Sequence, residues 1–237
     1  MKSSKFLLLA ALVVFALALQ GCAENSPEME LVAGEIFRDE FDSETLAEHW
    51  TVGPNPEHRR DDKWSLTSYP GYLTITTQDS DIHETSNRPI NFFMYKVPYE
   101  HFEAVTRIIF QPEQDFEQAG LFIYKDMDNY ARLARVHAFG NQSVEPALET
   151  DGSYREWIQT IGNTAEIYLK MSMIRGQLGY HYSFDGVEWV EIDSRPYVRW
   201  DDVYLVLYAI SPISARQIDA LFDYVEVTEL KFEPVQQ

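Results

Sequence analysis

The feature that most constrains the fold is an alternation of apolar and polar side chains with a period of two residues. Every second residue between positions 167 and 173 is apolar: Ile167, Leu169, Met171 and Met173. A helix repeats every 3.6 residues, so this pattern predicts a β-strand with one buried face. Other segments rich in β-branched and aromatic residues also predict strands. They are 104–110, 119–124, 130–136, 178–183, 189–192, 203–210 and 222–227.

Short polar turns separate these predicted strands. Residues 125–129 join two of them, and Asp185-Gly186 is a dipeptide typical of a tight hairpin. Many short strands with turns between them predict an all-β fold, a β-sandwich or jelly roll. Helix is predicted at residues 43–49 alone, as a single turn with Ser43 as its N-cap.

The N-terminus has the pattern of a secretory signal. Lys2 and Lys5 precede an apolar run, residues 6–19, that is shorter than the roughly 20 residues a membrane-spanning helix needs. The run ends in Leu-Gln-Gly-Cys at residues 19–22, which resembles the lipobox of bacterial lipoproteins. The resemblance implies that residues 1–22 are a lipoprotein signal peptide and that Cys22, the only cysteine, is lipidated.

The remaining chain divides simply. Residues 23–33 predict an acidic tether, and residues 34–232 predict one β-sandwich domain without a second linker or an internal repeat. The implied location is extracytoplasmic and lipid-anchored. In a Gram-negative host it would be the outer membrane, because Ala23 replaces the aspartate that retains enteric lipoproteins at the inner membrane.

A strong negative charge limits the partners. The formal net charge is −19, and loss of the two signal lysines makes the mature chain more acidic still. Binding to phosphate backbones depends on clustered Lys and Arg, so nucleic acid is excluded as a partner. Membrane contact is expected through the lipid anchor only.

An ordered set of motifs resembles one known family. The motifs are Phe37-Arg38-Asp39-Glu40-Phe41-Asp42, Trp64-Ser65-Leu66, Asp128-Asn129-Tyr130, Tyr182-Ser183-Phe184-Asp185-Gly186 and Ala220-Leu221-Phe222-Asp223-Tyr224. Their order and spacing resemble the beta-xylosidase C-terminal concanavalin A-like family over residues 35–230. The resemblance implies a concanavalin A-like jelly-roll sandwich associated with glycans. It does not imply hydrolysis, which belongs to a separate catalytic domain in the glycosidases of that family.

No catalytic residue is predicted. Glycosidases use a pair of carboxylates, and Glu191-Ile192-Asp193 looks like half of the Glu-Ile-Asp-x-x-Glu signature of jelly-roll glucanases. The second glutamate is missing, because residue 196 is proline. The sequence has no G-x-S-x-G motif for a serine nucleophile, and its six histidines show no zinc-binding spacing.

A structural calcium site is the one cofactor considered. Asp39, Asp42 and Asp223 lie in the first and last strand motifs, which pair in concanavalin A-like sandwiches. Carboxylate oxygens suit calcium, although ordinary solvated acids are the alternative interpretation. Asp126, Asp128 and Asn129 also have calcium-loop spacing, but a tight hairpin turn explains them more simply.

Sugar binding requires aromatic faces and planar polar groups in a concave site. Strand alternation predicts that Gln118 and Tyr124 share a face opposite the core, as do Tyr130 and Arg132. Neither Gln118 nor Arg132 is expected in the core; for each residue alone, an exposed sheet position is the alternative. The full set of candidate ligand-binding residues is Gln118, Arg132, Tyr124, Tyr130, His83, Asn87, Trp157 and Tyr208.

Three functions remain open. The leading hypothesis is a membrane-anchored, extracytoplasmic module that binds or accompanies a polysaccharide or oligosaccharide without catalysis. The alternatives are a jelly-roll glycoside hydrolase with an unrecognised acid pair and a scaffold or interaction protein of the cell envelope. The broken Glu-Ile-Asp signature favours the non-catalytic functions, but the sequence does not separate a binder from a scaffold.

Overall fold

A computed structural model describes residues 28–196, 200–214 and 216–235. Within these residues the regular secondary structure is almost entirely β, with two single-turn 3₁₀ helices at Pro56–His58 and Asp61–Lys63. The strands are β1 Met29–Asp39, β2 Trp50–Gly53, β3 Trp64–Ser65, β4 Leu73–Thr76, β5 Asp81–His83, β6 Ser86–Arg88, β7 Phe92–Lys96, β8 Phe102–Ile109, β9 Gln118–Asp126, β10 Asn129–Ala138, β11 Asn141–Thr150, β12 Ser153–Glu156, β13 Gln159–Thr160, β14 Glu166–Ile174, β15 Gln177–Ser183, β16 Val190–Pro196, β17 Tyr204–Ile210 and β18 Asp219–Pro234.

The described strands form two antiparallel sheets of eight strands each and one small hairpin. The first sheet has the order β16-β15-β14-β8-β18-β4-β3, with β1 also paired to β18. The second sheet has the order β12-β11-β10-β9-β17-β7-β2, with β13 also paired to β11. Strands β5 and β6 pair with each other alone. The predicted all-β sandwich is therefore confirmed.

The strands predicted from alternation are present, but the predicted helical turn is wrong. Residues 43–49 form bends and a turn. The hydroxyl oxygen of Ser43 accepts a hydrogen bond from the Thr45 amide at 3.2 Å, so it stabilises a local turn where a helix cap was expected. None of the described helices is long and apolar enough to cross a membrane.

The first strand begins inside the segment predicted to be a tether. Residues 29–33 pair with residues 230–234 of β18, and the register shifts before the pairing resumes at Ile36. At the outer end, the Val235 amide donates to the Glu28 carbonyl at 2.8 Å. Part of the expected tether is therefore a strand of the domain, because pairing with β18 satisfies its backbone. Cys22 and the signal lie outside the described residues.

Two apolar clusters position the functional site. The main core lies between the sheets and includes Leu121, Leu133 and Phe222. The second cluster includes Phe122 and Tyr130, which lie on the other face of the second sheet because side chains alternate along a strand. Ile82 of the β5–β6 hairpin belongs to this second cluster. The hairpin therefore covers part of a face that would otherwise be open to solvent.

Candidate functional site

A cavity of about 250 Å³ lies on the outer face of the second sheet, beside the second apolar cluster. The floor and one side of the cavity are formed by strands β9, β10, β11 and β12. A second side is formed by the β5–β6 hairpin. The lining residues are Asp81, His83, Phe116, Gln118, Arg132, Glu145, Tyr154, Glu156, Pro212 and Ile213. Most of the lining residues carry polar side chains, although the cavity adjoins a buried apolar cluster.

A buried ion pair occupies the floor of this cavity. Arg132 is 2% exposed and Glu145 is fully buried, and the Arg132 guanidinium contacts the Glu145 carboxylate through Nη2 and Oε1. Burial raises the pKa of the Glu145 carboxyl, and the charge of Arg132 opposes that shift. Burial alone would lower the pKa of Arg132, but Tyr154 and Glu145 hold it well above its ordinary value.

Each member of the pair keeps one polar atom without a partner. Glu145 Oε2 and Arg132 Nε are buried and make no hydrogen bond within the described residues. An unpaired buried polar group costs about 1–3 kcal/mol, so such atoms are uncommon. Both atoms are closed off from solvent, so they add to the cost of the buried pair and are not open to a ligand hydroxyl.

Tyr154 extends the polar network toward the cavity mouth. Arg132 Nη2 donates to the Tyr154 hydroxyl at 2.7 Å, and this hydroxyl donates to Glu156 Oε2 at 2.8 Å. Burial raises the pKa of Tyr154, so the hydroxyl remains a donor at neutral pH. The His83 ring lies against the Tyr154 ring with centroids 4.3 Å apart.

Gln118 and Tyr208 complete the polar floor from β9 and β17. The Tyr208 hydroxyl donates to Gln118 Oε1 at 2.8 Å. Tyr208 is fully buried, and burial raises the pKa of its hydroxyl. Tyr208 therefore orients Gln118 from below, and its ring is not available for stacking on a ligand.

The structure brings together three of the predicted ligand-binding residues: His83, Gln118 and Arg132 line one cavity. Gln118 and Arg132 lie outside both apolar core clusters, as expected, but the alternative of an exposed sheet position is wrong, since they are 3% and 2% exposed. The physical reason is that Tyr154 contacts Arg132, and residues 81, 83, 212 and 213 line the same space.

The other predicted ligand-binding residues lie elsewhere. Tyr124 and Tyr130 are buried in the second cluster, and the Tyr130 hydroxyl lies 2.8 Å from both the Ile82 carbonyl and Glu149 Oε2. Asn87 pairs with Ile82 in the β5–β6 hairpin and does not line the cavity. Trp157 packs edge-on against Tyr180 of the first sheet, with ring centroids 5.8 Å apart. These positions were not foreseen because they depend on long-range packing.

Four polar residues of the site were not predicted: Asp81, Glu145, Tyr154 and Glu156. Glu145 stands in the run Val144-Glu145-Pro146-Ala147, where proline argues against a strand interior. Strand β11 tolerates Pro146 because β13 pairs with residues 143–144 and β12 with residues 147–150. A charged residue within this apolar stretch was the available signal for a buried site.

The three aspartates considered for calcium do not converge. Strands β1 and β18 pair as predicted, with Asp39 opposite Val225. However, Asp39 Oδ2 accepts from Trp50 Nε1 at 2.8 Å, and Asp223 Oδ2 pairs with Arg107 Nη1 at 2.9 Å. Asp42 is exposed. Within residues 28–196, 200–214 and 216–235, no group of three or more His, Cys, Asp or Glu side chains is placed to hold a metal ion.

Calcium binding stays a prediction from the sequence, and thermal unfolding tests it. A ligand present at a hundredfold excess over its dissociation constant stabilises the folded state by about 2.7 kcal/mol. Chelation with EDTA is then expected to lower Tm by several degrees, and added calcium should restore it. An unchanged melting curve with and without EDTA would contradict a stabilising site.

The two antiparallel sheets and their strand order define a concanavalin A-like jelly-roll sandwich. The family described as the beta xylosidase C-terminal concanavalin A-like domain matches residues 38–228. The chain therefore belongs to this family.

Similar proteins include glycoside hydrolases that are longer than this chain. A non-reducing end alpha-L-arabinofuranosidase of Bacteroides ovatus is 34% identical over 96 residues, which is 40% of this chain and 17% of that protein. A xylan 1,3-beta-xylosidase of a Vibrio species is 25% identical over 81% of this chain and 37% of its own length. The crystal structure of a GH43 protein mutant from Bacillus licheniformis superposes with a TM-score of 0.72 at 22% identity, covering 81% of this chain and 39% of that one. This chain thus spans well under half of each relative.

Proposed function

We propose that the protein is a membrane-anchored, extracytoplasmic module that binds a β-linked polysaccharide or oligosaccharide without cleaving it. The observation that carries this proposal is a cavity whose lining combines the carboxylate acceptors Asp81 and Glu156 with the side-chain amide of Gln118. Sugar hydroxyls both donate and accept hydrogen bonds, so they match such a lining. Lipidation at Cys22 supplies the anchor in this proposal.

The size and charge of the cavity narrow the ligand. Pockets for drug-sized molecules measure about 300–1,000 Å³, so a cavity of about 250 Å³ suits a single sugar ring. Asp81, Glu145 and Glu156 outnumber Arg132 among the charged lining residues. A neutral sugar is therefore favoured over a uronic acid, because a ligand carboxylate would be repelled. The names of the relatives make xylan the first polysaccharide to test.

The expected affinity is modest. Stacking on an aromatic ring contributes about 1 kcal/mol, and each hydroxyl hydrogen bond adds a similar net amount. A shallow site with a few such contacts gives dissociation constants in the millimolar to micromolar range. A glycan array followed by titration calorimetry measures this directly.

Glu156→Gln is expected to weaken binding about tenfold, since it removes a charged acceptor at the cavity mouth and keeps the shape of the side chain. The control is Glu191→Gln, an exposed carboxylate in β16 of the other sheet, which should leave affinity unchanged. Both variants and the wild type should release no reducing sugar from xylan. Release of sugar that is lost on changing a cavity carboxylate would establish the glycosidase alternative, and binding to no glycan on the array would favour the scaffold.

A further inference from the structure

The turn between β10 and β11 contains an unexpected residue. Phe139 and Gly140 form a two-residue loop, with φ angles of 50° and 76°. A two-residue hairpin loop with two positive φ angles is a type I′ turn, which favours Asn-Gly or Asp-Gly. The next hairpin follows this preference with Asp151-Gly152, at φ 49° and 74°. Phenylalanine at the first position is unfavourable, because its Cβ crowds the backbone in the left-handed region.

Packing within the chain does not explain Phe139, because its side chain is 70% exposed. Its described ring contact is with Phe116, edge to face, with centroids 5.7 Å apart and an interplanar angle of 86°. Phe116 also has a positive φ, 66°, and it lines the cavity. Phe116 and Phe139, both with strained backbones, thus form a continuous aromatic surface from the cavity to the solvent; we call this pair the aromatic step. Backbone strain of this kind concentrates at binding sites.

Hydrogen bonds within the chain fix the backbone of the aromatic step at Phe116 and next to Phe139. The Phe116 amide donates to the His137 carbonyl at 2.8 Å, and the Gly140 amide donates to Asp115 Oδ1 at 3.1 Å. The neighbouring Glu117 is fully buried and accepts from Arg216 Nε at 2.6 Å. Burial would raise the pKa of Glu117, but Arg216 and two backbone amides lower it, so the Glu117 carboxylate stays charged. A preorganised ring loses little entropy when a ligand stacks on it.

We infer that Phe139, supported by Phe116, is a second sugar subsite, so that the protein binds the end of an oligosaccharide rather than an isolated monosaccharide. This inference rests on the proposed function of the cavity. One terminal sugar occupies the cavity, and the next sugar of the chain stacks on the exposed face of Phe139. An exposed aromatic ring next to side chains that hydrogen-bond hydroxyl groups is an arrangement that can bind consecutive sugars of one chain. A protein partner is disfavoured, because a stable interface buries about 800 Å² on each side and the aromatic step is far smaller.

The test is Phe139→Asn, which removes the ring and installs the residue that the turn favours. Titration calorimetry with xylose and with β-1,4-linked xylobiose is carried out on the Cys22→Ser protein, which lacks the lipidated residue. The wild-type site is expected to bind xylobiose about tenfold more tightly than xylose. Phe139→Asn should reduce xylobiose affinity to the level of xylose and leave xylose affinity unchanged. Its Tm should be equal to or above that of the parent, because the turn strain is relieved.

The matched control is Phe184→Ala, an aromatic residue 49% exposed after β15 of the other sheet, which should change neither affinity. Equal wild-type affinity for xylose and xylobiose, or xylobiose binding that Phe139→Asn leaves intact, would overturn the second subsite alone. If the parent protein binds neither sugar, the cavity does not accept the proposed glycan and both proposals fail. If Phe139→Trp or Phe139→Tyr binds xylobiose as tightly as the parent protein does, the result would support stacking, because each variant keeps an aromatic face.

Discussion

Replacing Arg132 with alanine is expected to lower the free energy of unfolding by about 3–5 kcal/mol, the usual cost of removing one partner of a buried ion pair. Glu145 is fully buried, so without Arg132 it must either remain charged in a poorly polarisable interior or take up a proton. The Tyr154 hydroxyl would also lose its donor at 2.7 Å. Because a domain is typically stable by about 5–15 kcal/mol, the variant would lose a large share of its stability.

Urea unfolding of the wild type, Arg132→Ala and the double variant Arg132→Met with Glu145→Leu measures this effect. The double variant replaces both charges with apolar side chains of similar volume, which is often neutral or stabilising. We therefore expect its unfolding midpoint to lie close to that of the wild type. An Arg132→Ala variant within about 1 kcal/mol of the wild type would show that Glu145 is not sealed from water.

The second large effect concerns location. Cys22→Ser is expected to move the protein completely from the membrane fraction to the soluble fraction, with no acyl chain detectable by mass spectrometry. Serine lacks the thiol that would carry a lipid, and the acidic domain has little affinity of its own for anionic lipid surfaces. More than one acyl chain is needed for stable anchoring, so loss of the modified residue removes the attachment as a whole.

Ser26→Ala is the matched control, because it alters a small polar residue of the predicted tether and leaves the lipobox intact. This variant should stay in the membrane fraction and keep its acyl chains. Membrane association of Cys22→Ser equal to that of the control would show that another part of the protein holds it to the membrane, and the lipobox interpretation would be wrong.

The fold could be predicted where side-chain alternation is regular. Strand β14, residues 166–174, is flanked on both sides within its sheet and alternates strictly, so its pattern alone identified it. Strand β11 was not predicted, because Pro146 interrupts it and only the separate pairings with β12 and β13 accommodate that residue. The turn at 43–49 was misassigned because a serine followed by polar residues suits a local turn as well as a helix cap.

The candidate site was predictable only in part. Alternation placed Gln118 and Arg132 on the face away from the main core, and that face is where the cavity lies. It gave no information on what covers the face, because His83 and Tyr154 come from a distant hairpin and another strand. Burial of Arg132 follows from that covering, whereas its pairing with Glu145 follows from the register of the neighbouring strands β10 and β11. A period-two pattern reports which side of a sheet a residue occupies, not what packs above it.

The pairing of β1 with β18 has a mechanical consequence. If the protein is held at Cys22 and grips a polysaccharide in its second sheet, any tension between cell and polymer enters the domain through β1. Antiparallel hydrogen bonds run perpendicular to the strands, so a pull along β1 loads its ladder with β18 in shear, many bonds at once. Strand β18 in turn pairs with β8 in the middle of the first sheet. The load would therefore pass into the middle of the first sheet instead of peeling its edge open one bond after another.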